Sequence, residues 1–348
     1  MSAPSASINN FVSEQKLAVS FRLVLSLYWI IPLALVLQGL DQFFWQNYLK
    51  SSLPSSPYHF VLFQILFGTP HVVASNILLV SNKEYVIHFR RQIMTMTAAI
   101  AIAYVLGNML LPYRFLYACV AGWTVFHVLK QQYGIARGLC QLPENVFKLL
   151  LWLSVFAGLA IYLGIFIRSG LTAEEALWIK WAASAGCLLL LVAAVVNRHW
   201  PTTAFGKQFY WANIFLVLTS FYLYVQEQYF MAILVPRFVH DATAYVFYVT
   251  HDYNKHRRQP QNALYRAAAK INCHIFIVLP VLSFALAFVL QAYGDEWINW
   301  LTRHLFGVEF YKVITLAFLG YLGLMHYYME GLTWQKDSPY RQYIAFTK

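Results

Sequence analysis

Four histidines lie inside apolar stretches of this 348-residue chain: His71 in FGTPHVVAS, His127 in TVFHVLKQQYG, His240 in RFVHDATAYVFY and His326 in LGLMHYYMEG. Imidazole suits iron, copper, zinc and nickel, and an ionisable group among apolar neighbours is costly unless it has work or a partner. For any single one, the ordinary alternative is a core imidazole donating to a backbone carbonyl. Four on separate segments at one level argue instead for a buried metal site. The cysteines (Cys119, Cys140, Cys187, Cys273) are scattered and form no CxxC pair, so neither a disulfide frame nor a zinc–thiolate site is indicated. The near absence of thiolate also argues against copper(I) and iron–sulfur clusters. An all-histidine set with a carboxylate nearby best fits non-haem iron, as Fe2+.

The carboxylates stand at helical spacing. Glu330 is four residues after His326, one turn on and on the same face, placed to orient that imidazole or to bind the metal itself. Asp241 follows His240 directly, about 100° round a helix. Lys130 and Gln131 come three and four residues after His127, and both are expensive at that level unless they face a polar interior; solvation at a helix end is the alternative. Glu330, Asp241 and Lys130 are therefore the candidate catalytic and orienting groups, since metal-bound histidines usually pass their second N–H to such a partner.

A fifth histidine complicates the third segment. His251 is eleven residues after His240 on the same face, about 16 Å away along a regular helix. Both cannot hold one ion unless Pro236 and Arg237 kink the helix, so either His240 or His251 is the candidate ligand there. His251 and His256, in HDYNKH, could instead form an outer site or simply be interfacial. His59, His88, His199 and His304 fall in or beside loops, and no chemistry is assigned to them.

The elements that must position these groups follow from composition. The chain is 60% hydrophobic, 18% aromatic and only 11% charged, with a mean hydropathy of +0.53. That is too few charges to cover a water-facing surface. The expected fold class is all-α: a polytopic transmembrane helix bundle of about ten spans. Apolar runs near the length a helix needs to cross a bilayer lie at 21–40, 59–80, 92–111, 114–137, 147–168, 175–197, 209–226, 228–251, 271–292 and 311–334. The seventh and eighth are separated only by Gln226, Glu227 and Gln228. Residues 1–20 are a polar N-terminal segment without a cleavable signal, 21–334 a single transmembrane domain, and 335–348 a basic tail.

Alternate connections are basic. The segments 81–91, 137–148, 198–207 and 252–270 carry Lys and Arg, whereas 41–58, 169–174 and 293–310 are short of net positive charge. By the positive-inside rule both termini are cytoplasmic, and the formal charge of +11 is topogenic rather than a nucleic-acid footprint. The expected location is a bacterial inner membrane, crossed many times. In this orientation the second, fourth, eighth and tenth runs all travel inward. His71, His127, His240 and His326 then precede Lys83, Arg137, Lys255 and Lys336 by 10 to 15 residues, which sets them within one or two turns of a common depth. Pro70, beside Gly68, should interrupt the backbone next to His71, as is tolerated where a helix lines a cavity. Phe67, Trp123, Phe126, Tyr245, Phe247, Tyr248, Tyr327 and Tyr328 would wall an apolar chamber, or face lipid.

The order of these motifs resembles the Brp/Blh family of membrane β-carotene 15,15′-dioxygenases. The matching elements are Gly68-Thr69-Pro70-His71, Phe126-His127, Phe238-Val239-His240, and Met325-His326 with Glu330. The resemblance implies one non-haem iron held by histidines, with dioxygen splitting a double bond of a carotenoid. This chain is longer and has more apolar runs. It has Ala244 where the family has a second histidine, and Ser75 and Asn76 where the family has an acid after the first. Desaturase-type HxxxH and HxxHH boxes are absent. The reading that follows is a membrane-embedded iron oxygenase for a long apolar lipid, a carotenoid or another isoprenoid, with dioxygen as co-substrate and the bilayer as surroundings. A haem-binding electron-transfer protein and a transporter or proton relay are the alternatives.

Overall fold

The computed structural model describes residues 16–55, 68–310, 312–335 and 337–347. Residues 1–15, the opening of the second apolar run with His59 and Phe67, and Lys336 lie outside them. An apolar chain away from water must satisfy its own backbone N–H and C=O groups, which favours helices. Among the described residues, each of the ten apolar runs overlaps a helix. In chain order the elements are β1 (Ala18–Ser20), α1 (Phe21–Phe43), α2 (Tyr48–Ser52), α3 (Thr69–Ser81), α4 (Lys83–His88), α5 (Arg90–Leu110), α6 (Tyr113–Cys140), α7 (Glu144–Phe166), α8 (Ala173–Val196), α9 (Ala204–Val225), α10 (Tyr229–His256), α11 (Ala263–Lys270), α12 (Ile275–Phe306), α13 (Leu319–Thr333) and β2 (Ala345–Thr347). Five of these helices, α1, α7, α8, α10 and α12, are long and apolar enough to cross a membrane, and α3 is a shorter apolar helix.

Local chemistry explains the joints. Glu227 adopts a left-handed conformation, φ 62°, which separates α9 from α10 where the apolar run is otherwise almost unbroken. Thr172 caps α8 reciprocally with Glu175, a capping box that satisfies two orphan donors. Pro70 lies at the beginning of the described part of α3, and the residues before Gly68, which would test the expected interruption, lie outside the described ones. Pro236 lies inside α10 and cannot donate to the carbonyl of Ala232. The hydroxyl of Ser220, on α9, donates to that carbonyl at 2.6 Å instead.

The helices share one buried core. Around its centre α10 packs on both α3 and α6, and α13 packs on the same two, so the four helices form a square. Close approach between α7 and α8 depends on Gly186, where a Cβ would stand 3.2 Å from the Ala157 backbone. Large apolar side chains such as Trp178, Trp181, Trp297 and Trp300 are exposed on the outside.

One feature departs from an all-helical fold. β1 and β2 pair as parallel strands, Ala18 with Ala345 and Ser20 with Thr347. Asn254, near the end of α10, ties both: its side chain donates to the carbonyls of Leu17 and Tyr343 and accepts from Leu17 N–H, each at 2.8 Å. The two ends of the described chain therefore meet at one end of the bundle.

Candidate metal centre

Each corner of the helical square contributes one histidine. His71 comes from α3, His127 from α6, His240 from α10 and His326 from α13, all buried, and one ligating nitrogen from each lies within 4.8 Å of the others. Metal–nitrogen bonds of 2.0–2.1 Å would hold nitrogens up to roughly 4.2 Å apart across one ion, so sub-ångström adjustment completes a site. The Nε2 atoms of His127 and His326 are 3.1 Å apart. The four histidines expected to lie at one level do come together. Among the described residues no other group of three metal-ligating side chains meets this spacing.

Second partners orient the rings. Ser75 Oγ donates to the Val72 carbonyl at 2.9 Å and stands 2.6 Å from His326 Nδ1. A hydroxyl has one proton, so the serine oxygen accepts from Nδ1–H and the lone pair of His326 is left on Nε2, facing His127. Glu330 Oε2 is 2.9 Å from His127 Nε2. Gln131 Nε2 and Tyr248 O–H each donate to the other carboxylate oxygen of Glu330 at 3.3 Å. Glu330 thus reaches across to α6 rather than serving the histidine one turn before it on α13. Asp241 turns away from its neighbour His240, whose Nε2 is 4.0 Å off, and lies 3.0 Å from Nδ1 of His71. Its other oxygen accepts from Arg237 Nε at 3.2 Å, one turn earlier on α10.

The unsatisfied atoms point the same way. Neither ring nitrogen of His71 or His240 has an aligned hydrogen-bond partner, nor does Asp241 Oδ1, although the latter is within ion-pair distance of His71. A buried polar atom left unpaired costs about 1–3 kcal/mol. A cation coordinated by these nitrogens would remove that cost, so the residues present fit a metal ion.

Two candidates fall elsewhere. His251 is not in the group: its Nε2 is 2.6 Å from the Tyr85 hydroxyl, its Nδ1 2.9 Å from Asp252, and its ring stacks on Tyr340 at 4.5 Å. Because α10 continues as one helix through Pro236, the eleven-residue separation holds, and His240 is the histidine that this helix brings to the group. His256 stacks on Tyr265 at 4.0 Å and belongs to the same separate polar network. Lys130 is exposed, its ammonium 5.2 Å from the Phe126 ring centre, and so does not touch the histidines. Ser75 and Arg237 are the functional neighbours that spacing did not reveal.

A cavity of ≈ 490 Å³ leads to this centre, with His127 and Glu330 in its wall. Of the anticipated aromatics, Tyr327 lies 4.6 Å from the His127 ring and Tyr248 stacks on His71 at 6.1 Å, while Trp123 and Phe126 line the cavity.

Fold and site together define a helical protein with membrane-length apolar helices around four buried histidines that could hold a metal ion. Compared with known proteins, the chain matches no family model, no curated protein and no solved structure.

Proposed function

We propose that the protein is a multi-pass enzyme of a bacterial inner membrane, holding one non-haem Fe2+ through His71, His127, His240 and His326, and oxygenating a long apolar lipid with dioxygen. The observation that carries this reading is the convergence of four histidine nitrogens within 4.8 Å, two of the rings having no aligned hydrogen-bond partner. Bound iron would supply dioxygen activation. Ser75 fixes the His326 tautomer, Glu330 stands at His127 Nε2 where it would offset one positive charge of the metal, and Asp241 is held beside His71 by Arg237. Glu330 is also close enough to join the ligand set. The cavity beside His127 and Glu330 gives an apolar substrate a way in, and pockets of this size are typical for small ligands. The resemblance to the carotenoid dioxygenases supports the reaction class, with a carotenoid or other isoprenoid as the substrate.

Haem is disfavoured, because the other two histidines occupy the equatorial space a porphyrin would need. A transport path is disfavoured because the polar groups gather at one level instead of following the membrane normal. The experiment is elemental analysis with an absorption spectrum on purified protein, beside His127→Ala. About one iron per chain without a Soret band, lost in the variant, is the expected result. A Soret band would move the assignment to haem, and absence of metal from both proteins would leave a polar pathway.

A further inference from the structure

The cavity that reaches His127 and Glu330 is charged at its outer part. Lys130, Arg137 and Arg341 all stand in its wall. The two inner residues are nearly buried, His127 at 7% and Glu330 at 9% exposure, whereas Lys130 is exposed and the Arg137 side chain is 46% exposed. Each cation lies against an aromatic ring of the same wall: Lys130 over Phe126 at 5.2 Å, Arg137 over Phe147 at 5.2 Å, Arg341 over Phe346 at 4.8 Å. Arg137 has one distant carboxylate, Glu144 at 3.9 Å. Among the described residues, Lys130 and Arg341 have none within ion-pair distance. A wholly apolar substrate would leave these cations without a role.

The inner wall is kept open. Gly134 and Gly138 lie one turn apart on α6, and Gly331 faces the cavity from α13. A Cβ on any of the three would meet nothing within 4 Å. Close helix packing therefore does not explain these glycines, each of which costs a helix about 1 kcal/mol relative to alanine; they leave room. From His127 to Arg137 the wall extends about 15 Å along α6, a long approach suited to a chain.

From this we infer that the cavity takes a single-chain lipid with an anionic head, a carboxylate or a phosphate, held at Arg137 and Arg341 while its apolar chain runs past Gly134 and Gly331 to His127 and Glu330. Arginine pairs both oxyanions in a bidentate manner. The inference rests on the proposed function only in taking the His127–Glu330 end as the reacting end; the binding itself needs neither metal nor turnover.

The test is photolabelling of the whole protein in vesicles of zwitterionic lipid. The probes are a long-chain fatty acid bearing a diazirine near its methyl end and the corresponding alcohol, with labelled peptides mapped by mass spectrometry. The acid should label α6 and α13 about tenfold more than the alcohol, the scale of one hydrogen bond to a charged group. Arg137→Gln with Arg341→Gln should reduce the acid to the level of the alcohol. Gly134→Leu, which replaces a poor helix former and meets no neighbour, should remove labelling by both probes with thermal midpoint and metal content unchanged. Competition by an unlabelled fatty acid or by an alkyl phosphate identifies the head, either result supporting the site. Equal labelling by acid and alcohol in the wild type, or undiminished labelling of Gly134→Leu, would overturn it. Selective labelling of a metal-free protein would sink the oxygenase alone, and iron without acid preference would sink this inference alone.

Discussion

His326 presents Nε2 to the centre because Ser75 takes its Nδ1 proton, and that contact joins residues 251 positions apart. Partners that fix a ligand imidazole usually contribute 10–100-fold to metal affinity. Ser75→Ala is therefore expected to weaken metal binding about 10–100-fold with little change in fold, measured by competition with a chelator of known affinity. The Asp241–Arg237 pair behaves differently. Both side chains are mostly buried, at 5% and 13% exposure, so Asp241→Asn leaves a cation without its charge partner, at a cost of about 3–5 kcal/mol. Its thermal midpoint should fall sharply, and adding Arg237→Met should recover part of the loss. The four histidines were legible in the sequence because each is an ionisable group in an apolar run at a measurable distance from a basic end. Ser75 and Arg237 were not. A serine one turn after His71 looks like any helix serine, and its importance arises only when α13 comes to lie beside α3. Glu330 was legible as a residue but not in its contact, since one-turn spacing pointed to His326 and the structure brings it to His127.

The helices themselves were readable from apolar length, and so was the break at Gln226–Gln228. What length could not convey is how an interrupted helix is repaired. The Ala232 carbonyl, freed by Pro236, is satisfied from another helix by Ser220. Ser220→Ala should cost about 1–3 kcal/mol by stranding that carbonyl. Pro236→Ala in the same background should restore most of it, because an N–H then returns at the right position; thermal unfolding of the four proteins completes the cycle. The strands β1 and β2 escaped notice because three residues are too short to display a period of two. Their pairing rests on Asn254, and Asn254→Ala should make both chain ends more susceptible to brief proteolysis while leaving metal content unchanged.

At the scale of the whole molecule, the paired strands set residues 18–20 and 345–347 at one end of the bundle, an arrangement that an even number of crossings would produce. Cysteines placed at Lys16 and Thr347 should react with an impermeant reagent from one side of sealed vesicles only, and the same side for both. That end also carries an ion pair between Glu84 on α4 and the buried Lys255. Burial pushes the Glu84 carboxyl up, but the Lys255 hydrogen bond and charge outweigh it and hold the group below its ordinary value of 4.5. A lowered carboxylate pKa stabilises the fold above the unfolded value and loses that contribution as pH falls through the folded one. Glu84→Gln should thus be slightly less stable than wild type at neutral pH, by less than about 1 kcal/mol because Glu84 is half exposed. The difference should shrink as pH falls below 4.5 and vanish once pH is below the lowered folded value, as read in paired melting curves. The order of the chain has a bearing on maturation. His326 and Glu330 are on α13, the last of the four histidine-bearing helices to leave the ribosome. A nascent chain that has inserted α3, α6 and α10 holds three histidines around an open side, and only the arrival of α13 can close the square. Capture of a metal ion at this site would therefore be a late event in biogenesis, and a chain stalled before α13 would hold an ion only weakly.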